Sequence, residues 1–286
     1  MEFGFSLVHV SDLHFGGVAD LYQIEALETV IPDIEPRVIV ISGDISQRAR
    51  HGELQRARAF VREAGRTAPV FIIPGNHDVQ WWWRPFIPFG SAAKYRKYRQ
   101  YFGHELAPTL EFPEAIITAA NTSHGVAWGS LTPRLRDVAV KGHLPKGEID
   151  RVRKIFREAD ESQTRILVMH HNLLRGELSK RMGLARWQQA QRRVVESGAD
   201  IVLCGHDHQD GVDTLDGVVV ACAGTLSGRS RGARAPLFYR ISFDNRGVHV
   251  EEYQWNATER MFRRADVHAF ARRRVIHEEA VRSSIG

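Results

Sequence analysis

Five short apolar runs mark the chain: FSLVHV (5–10), RVIVI (37–41), VFII (70–73), RILVM (165–169) and DIVLC (200–204). They are rich in valine and isoleucine and almost continuously apolar, the pattern of strands covered on both faces. Between them the period changes to that of helices. Leu21, Ile24, Glu28 and Ile31 follow Asp20, a helix cap, and Pro32 is read as the stop. Leu54, Ala57, Val61 and Ala64 repeat at helical spacing, as do Ile149, Val152, Phe156 and Ala159, and Trp187, Ala190 and Val194 open another helix.

Later, VVVACAG (218–224), LFYRISF (237–243) and GVHVEEYQW (247–255) follow one another with turns such as DNRG and no helix between. That predicts an antiparallel addition. The stretch from 256 to 286 is arginine-rich with helical spacing and reads as a basic helical extension on the outside. The segment 80–145 has the least regular pattern and reads as an insertion or cap. The expectation is a mixed α/β fold, one domain over 1–255 with two stacked mixed β-sheets flanked by helices.

The residues that end the apolar runs carry chemistry. The first run ends in SDLH, with Asp12 and His14; the second in SGD, with Asp44; the third in PGNHD, with Asn76, His77 and Asp78. The fourth ends in HHN, with His170, His171 and Asn172, and the fifth in GHDH, with His206, Asp207 and His208. In open α/β sheets the carboxyl edge of the strands is where ligands bind. Residues i and i+2 on an extended segment point the same way, so Asp12 with His14, and His206 with His208, are each expected to aim two ligands at one centre. Gly43 and Gly205 precede Asp44 and His206, where they permit close backbone approach. Any one of these elements alone reads as a polar turn. Five in order, each at a strand end, do not.

Imidazole, carboxylate and amide oxygen without thiolate suit Mn, Fe, Zn or Ni better than a structural zinc or calcium. The candidates are too many for one ion, and two divalent ions sharing a carboxylate account for them.

Composition narrows the rest. A chain of 286 residues, 43% hydrophobic and 26% charged, has the profile of a soluble globular protein. Two cysteines, Cys204 and Cys222, with no CxxC pair exclude a disulfide framework and fit a reducing cytoplasm. The first residues, MEFGFSLVHV, lack the layout of a signal peptide, and no apolar run approaches membrane-spanning length. The net charge of +5 suits an anionic partner without by itself implying nucleic acid.

The series DLH, GD, GNHD, HH and GHDH resembles the calcineurin-like metallophosphoesterase superfamily, over residues 8 to about 225. The segment SGDISQRARHGELQRARAF (42–60) further resembles bacterial members near the class III cyclic-nucleotide phosphodiesterases. The resemblance implies that Asp12, His14 and His208 hold one metal, that Asn76, His170 and His206 hold the other, and that Asp44 bridges them. Family motifs align the first histidine of the pair with the ligand, so His170 is taken, with His171 as the alternative. His77 would face the phosphate and assist the leaving group while a hydroxide held between the metals attacks phosphorus in line. Asp78 either orients His77 or caps the next turn.

One departure concerns the substrate. In the cyclic-nucleotide branch a proline usually follows the histidine pair; here the chain reads HHNLL, and nucleases in the same superfamily often carry an asparagine near this position. The leading expectation is a phosphodiesterase for a small nucleotide-type substrate. A nuclease acting on DNA or RNA ends is the second, and a hydrolase of a phospholipid or nucleotide-lipid the third. The last rests on Trp81, Trp82 and Trp83, which suit peripheral contact with a membrane surface. They open a basic, aromatic stretch (80–104) in which Tyr95, Tyr98 and Phe102 share one helical face. That face reads first as a helix packing on the body and second as a base-stacking surface. Arg229, Arg231 and Arg234 in SGRSRGAR are phosphate-clamp candidates, with a solvated loop as the equal alternative.

Overall fold

The computed structural model describes residues 4–79, 92–124, 141–230, 232, 234–244 and 246–273. Two six-stranded sheets lie face to face. The first has the order β12-β11-β10-β1-β2-β3 and the second β4-β5-β6-β7-β9-β8. In the first sheet β1 (Phe5–Val10), β2 (Val38–Ile41) and β3 (Val70–Ile72) are parallel, and β10 (Leu237–Phe243), β11 (Gly247–Asn256) and β12 (Met261–Ala271) extend it antiparallel. In the second, β5 (Ala115–Ala119), β6 (Thr164–His171), β7 (Ile201–Gly205) and β9 (Val218–Cys222) are parallel, with β4 (Thr109–Glu111) and β8 (Gly211–Leu215) antiparallel at the edges.

The apolar runs are continuous because both faces of their strands are covered. Leu7, Val38, Val40 and Phe71 meet Ile117, Ile166, Val168 and Leu203 between the sheets. On the outer face of the first sheet, α1 (Leu21–Ile34) and α2 (His51–Ala64) bury Leu27, Ile31, Leu54 and Phe60. On the outer face of the second, α4 (Lys146–Glu158) and α5 (Trp187–Val195) bury Ile149, Val152, Phe156 and Val194. Asp20 caps α1 as expected, accepting from Tyr22 N at 3.0 Å and Gln23 N at 3.3 Å. Pro32 does not stop this helix but lies within its last turn, and the helix ends where Glu35 turns left-handed.

Three other expectations need correction. The segment 80–145 is not wholly an insertion, because AIITA within it is β5, a fully buried strand parallel to β6. VVVACAG is not part of the antiparallel addition. It forms β9, parallel to β7, because the edge strand β8 first reverses the chain. The arginine-rich tail is not helical through its described part. Residues 261–271 form β12, an edge strand whose charged side chains mostly face solvent, so no apolar alternation marked it as a strand. In the described part of the basic, aromatic stretch, the 3-10 turn Ala92–Tyr95 and α3 (Arg96–Phe102) pack inward. Tyr95 and Tyr98 are buried, and Tyr95 Oη donates to Ser123 O at 2.8 Å. Trp81, Trp82 and Trp83 lie outside the described residues.

One buried carboxylate joins the loops that follow β2 and β3. Asp78 accepts from Ile45 N at 3.2 Å, Ser46 N at 2.8 Å, Ser46 Oγ at 2.7 Å and Gly75 N at 2.9 Å. Of the two roles expected for it, it takes the loop cap. Removing it strands buried donors, each costing on the order of 1–3 kcal/mol. Asp78→Ala is therefore expected to lower unfolding stability by at least about 3 kcal/mol in a urea titration; a loss below about 1 kcal/mol would show that the loops hold without it.

His9, in the middle of β1, is fully buried and pairs its Nε2 with Ser42 Oγ at 2.9 Å. Burial lowers its pKa from 6.5 to about 3, against the opposing pull of Asp12. Between those values the unfolded chain binds a proton that the fold does not. The stability tied to neutral His9 is therefore full above about pH 6.5 and falls as the pH drops toward 3. Between pH 7 and pH 5 this amounts to about 2 kcal/mol. His9→Gln should flatten the stability profile by that amount over this window, and an unaltered slope would remove His9 as its source.

Candidate metal centre

The loops after β1, β2, β3 and β7, together with the end of β6, meet at one edge of the paired sheets. Five of the residues they deliver sit in the left-handed backbone region: Asp12 (φ 56°), His14 (φ 47°), Asp44 (φ 51°), His206 (φ 77°) and His208 (φ 55°). Such conformations are uncommon outside glycine, although Asp and His tolerate them best, and they cluster where a site is built. The pairs Asp12/His14 and His206/His208 converge as expected, but not by strand alternation, because β1 ends at Val10 and β7 at Gly205. Left-handed turns aim them. Glycines permit the crowding: a Cβ on Gly43 would lie 2.7 Å from His170 Nδ1, and one on Gly205 would lie 1.9 Å from Ser11 Oγ.

Two sets of donors result. The first gathers Asp12, His14, Asp44 and His208. His14 Nε2 lies 2.9 Å from His208 Nε2, 3.6 Å from Asp12 Oδ1 and 4.0 Å from Asp44 Oδ2, while His208 Nε2 is 3.3 Å from Asp12 Oδ1. In the second set Asn76 Oδ1 lies 3.1 Å from His170 Nε2 and 2.9 Å from His206 Nδ1, and Asp44 Oδ2 lies 3.3 Å from His170 Nε2. Asp44 Oδ2 thus faces both sets.

These spacings fit metal coordination. Donors about 2.1 Å from a common cation stand roughly 3.0–3.4 Å apart in octahedral or tetrahedral geometry. Asp12 Oδ1 is buried without a hydrogen-bonding partner, as expected of an atom whose partner is a cation. Neither cysteine belongs to either set.

His171 is the third histidine near the second set. Its Nδ1 lies 2.8 Å from Thr122 Oγ1, whereas His170 directs Nδ1 to Ser42 O at 2.9 Å and Nε2 toward Asn76 and Asp44. A backbone carbonyl can only accept, so His170 Nδ1 carries hydrogen and Nε2 is the ring atom turned to the donors.

The centre attracts positive charge. Burial opposes ionisation of Asp44, but the charges of His170 and His77 outweigh it and hold the carboxyl well below the usual range. Asp12 is likewise held low despite burial, through His14 and His208. His170 is raised to about 9, because Asp44 overcomes the desolvation that would lower it. Burial, then the charge on His170, lowers His206 to about 3.

Neighbouring groups, several of which the sequence did not single out, hold these candidate donors. Ser11 Oγ donates to Asp12 Oδ2 at 2.6 Å, and His206 N to the same oxygen at 2.9 Å. Thr225 Oγ1 donates to Asp12 O at 2.7 Å. His77 N donates to Asp44 Oδ1 at 2.8 Å, and His77 Nδ1 donates to Gln47 O at 2.8 Å. Ser11 and Gln47 lie within three residues of candidate donors, a proximity that could have flagged them; for Thr225 the sequence offers no signal.

Asp44, Asn76, His77, His206 and His208 line a cleft of about 150 Å³ with Lys141, Asn172, Arg181, Met182, Gly183 and Asp207. Lys141 and Arg181 were not anticipated. Of the arginines proposed to clamp phosphate, Arg229 is exposed and does not line this cleft, and Arg231 lies outside the described residues. Arg234 is paired with Asp210 and Glu177.

Comparisons bear on this arrangement. The model of the calcineurin-like phosphoesterase family matches residues 5–210. No curated protein matches the chain. Among solved structures, a dimetal phosphatase from Danio rerio superposes with a TM-score of 0.65 at 12% identity, covering 95% of this chain and 100% of that one. The purple acid phosphatase PPD1 from yellow lupin (Lupinus luteus) seeds gives 0.67 at 13% identity, covering 94% of this chain and 54% of that one. GAP50, the anchor in the inner membrane complex of Plasmodium, gives 0.60 at 11% identity, covering 95% and 90%. At these identities the likeness is one of fold; the family assignment rests on the match across residues 5–210, which spans every strand end that contributes to the centre. The chain belongs to the calcineurin-like phosphoesterase family, a family of phosphoester hydrolases, and carries two candidate metal-binding groups at its strand ends.

Proposed function

We propose that this protein is a dinuclear metal-dependent phosphodiesterase acting on a small, nucleotide-type substrate. The observation that carries the reading is the division of Asp44: Oδ1 is occupied by His77 N, and Oδ2 stands between the two donor sets. Asp12, His14 and His208 would hold one ion and Asn76, His170 and His206 the other, with Mn, Fe, Zn and Ni all suited to these nitrogen and oxygen donors. When bound, two such ions supply Lewis-acid polarisation of a phosphoryl oxygen and a water acidic enough to act at neutral pH.

The chain's own residues do the rest. The cationic Lys141 and Arg181 on the cleft favour an anionic phosphoester. His77 is oriented by donation from Nδ1 to Gln47 O, so Nε2 is the atom that can give a proton to the leaving oxygen. The small cleft suits a small substrate better than a duplex end. A second cavity shares Asn172 and Asp207 with it, which supports room for a second ester substituent and thus a diester over a monoester.

Two substitutions separate the roles. Asp44→Ala is expected to lose both bound metal and turnover of bis(4-nitrophenyl) phosphate. His77→Ala is expected to keep its metal and lose turnover by about 10²- to 10⁴-fold. Elemental analysis beside kinetics on Mn-loaded protein decides between them. Full metal content in the Asp44 variant would contradict the shared carboxylate, and unchanged turnover in the His77 variant would remove that residue from proton transfer.

A further inference from the structure

The segment GHDHQ (205–209) divides its side chains between two tasks. His206 and His208 join the donor sets, while Asp207 and Gln209, 4% and 3% exposed, turn to the loop that follows β6. The second pair builds a latch around Ser179. Gln209 Nε2 donates to Asp207 Oδ2 and, at 3.0 Å, to Ser179 Oγ, and Gln209 Oε1 accepts from Leu178 N at 2.7 Å. Ser179 Oγ donates to Asp207 Oδ2 at 2.5 Å and accepts from Arg181 N at 3.1 Å. The hydroxyl's one donor and two acceptor positions are all used, as are both hydrogens of the Gln209 amide. A polar cluster satisfied to this degree holds one geometry.

What the latch holds is Arg181. Lys180 turns left-handed (φ 55°), and Gly176 closes the turn by donating its N–H to Arg181 O at 3.0 Å. Gly176 lies against the latch itself, where a Cβ would stand 1.8 Å from Asp207 Oδ2 and 2.1 Å from Gln209 Nε2. Both backbone polar atoms of Arg181 are thus fixed, one by Ser179 and one by Gly176. Arg181 lines the metal cleft together with Asp44 and His77. Among the described residues its guanidinium has no ion pair, whereas Arg234 is held by Asp210 and Glu177. An arginine without an acid of its own, on the wall of a cleft for an anion, offers its planar donors to the oxygens of the ligand.

We infer that Arg181 binds an anionic oxygen of the substrate, and that Gln209, Ser179 and Asp207 are positioning residues that seat it. The segment that carries two candidate metal donors then also sets the substrate-binding arginine. This rests on the phosphodiesterase reading above and adds to it a residue that selects for charge.

A double-mutant cycle on the full-length, Mn-loaded protein tests it. The readouts are kcat and KM for bis(4-nitrophenyl) phosphate, the Kd of inorganic phosphate by calorimetry, and Mn content. Arg181→Ala should raise KM and the phosphate Kd about tenfold, with a smaller change in kcat and full Mn content. Gln209→Ala should shift both constants the same way by about fivefold. Ser179→Ala, a smaller excision, should follow the same pattern if the glutamine variant fails to fold. In the Arg181→Ala background either latch substitution should change KM by less than about twofold, because the residue it positions is gone. Unchanged KM and phosphate Kd in the arginine variant would overturn the assignment. Latch and arginine effects that multiply in the double variant, or a latch variant that loses Mn or kcat at constant KM, would overturn the positioning role. No hydrolysis of the diester by the Mn-loaded wild type would remove the phosphodiesterase reading and this inference with it; hydrolysis with multiplying effects would remove only the inference.

Discussion

The centre depends on how one buried carboxylate is held. Asp44 sits in a left-handed turn after β2, almost wholly enclosed, with Oδ1 fixed by the backbone N–H of His77 and Oδ2 turned between two groups of nitrogen and oxygen donors. A buried charge of this kind is costly unless paired. Its local partners are imidazoles, which compensate only in part. A cation on either side would complete the compensation, so the burial that makes this carboxylate costly is also what would favour a bound metal.

The rest of the architecture keeps that carboxylate in place. Candidate donors arrive from both sheets, with Asp12, Asp44 and Asn76 following strands of the first, and His170 at the end of β6 and His206 after β7 in the second. The apolar layer between the sheets fixes their separation and therefore the distance across the centre. Asp78 ties the loop carrying Asp44 to the loop carrying Asn76, and Asp12 is tied to His206 N across the gap between sheets. Left-handed backbone at five of these candidate donors is the strain this framework supports.

Much of this was legible in the sequence. Continuous apolar runs located β1, β2, β3, β6 and β7, and the polar residues after them are those that converge. The architecture of two stacked sheets between helices followed from the same pattern. What escaped has physical reasons. AIITA is short and follows an irregular stretch, so its membership in the second sheet depended on pairing with β6 rather than on local pattern. β12 lies at an edge with mostly exposed side chains, so the period that betrays a strand was missing. The aim of Asp12 and His14 came from left-handed turns, which short-range alternation does not encode.

The most direct test of the shared carboxylate is anomalous diffraction at the Mn edge from crystals of the Mn-loaded protein. The account predicts two peaks flanking Asp44 Oδ2, one among Asp12, His14 and His208 and the other among Asn76, His170 and His206. A single peak, or two ions of which only one contacts Asp44, would contradict it.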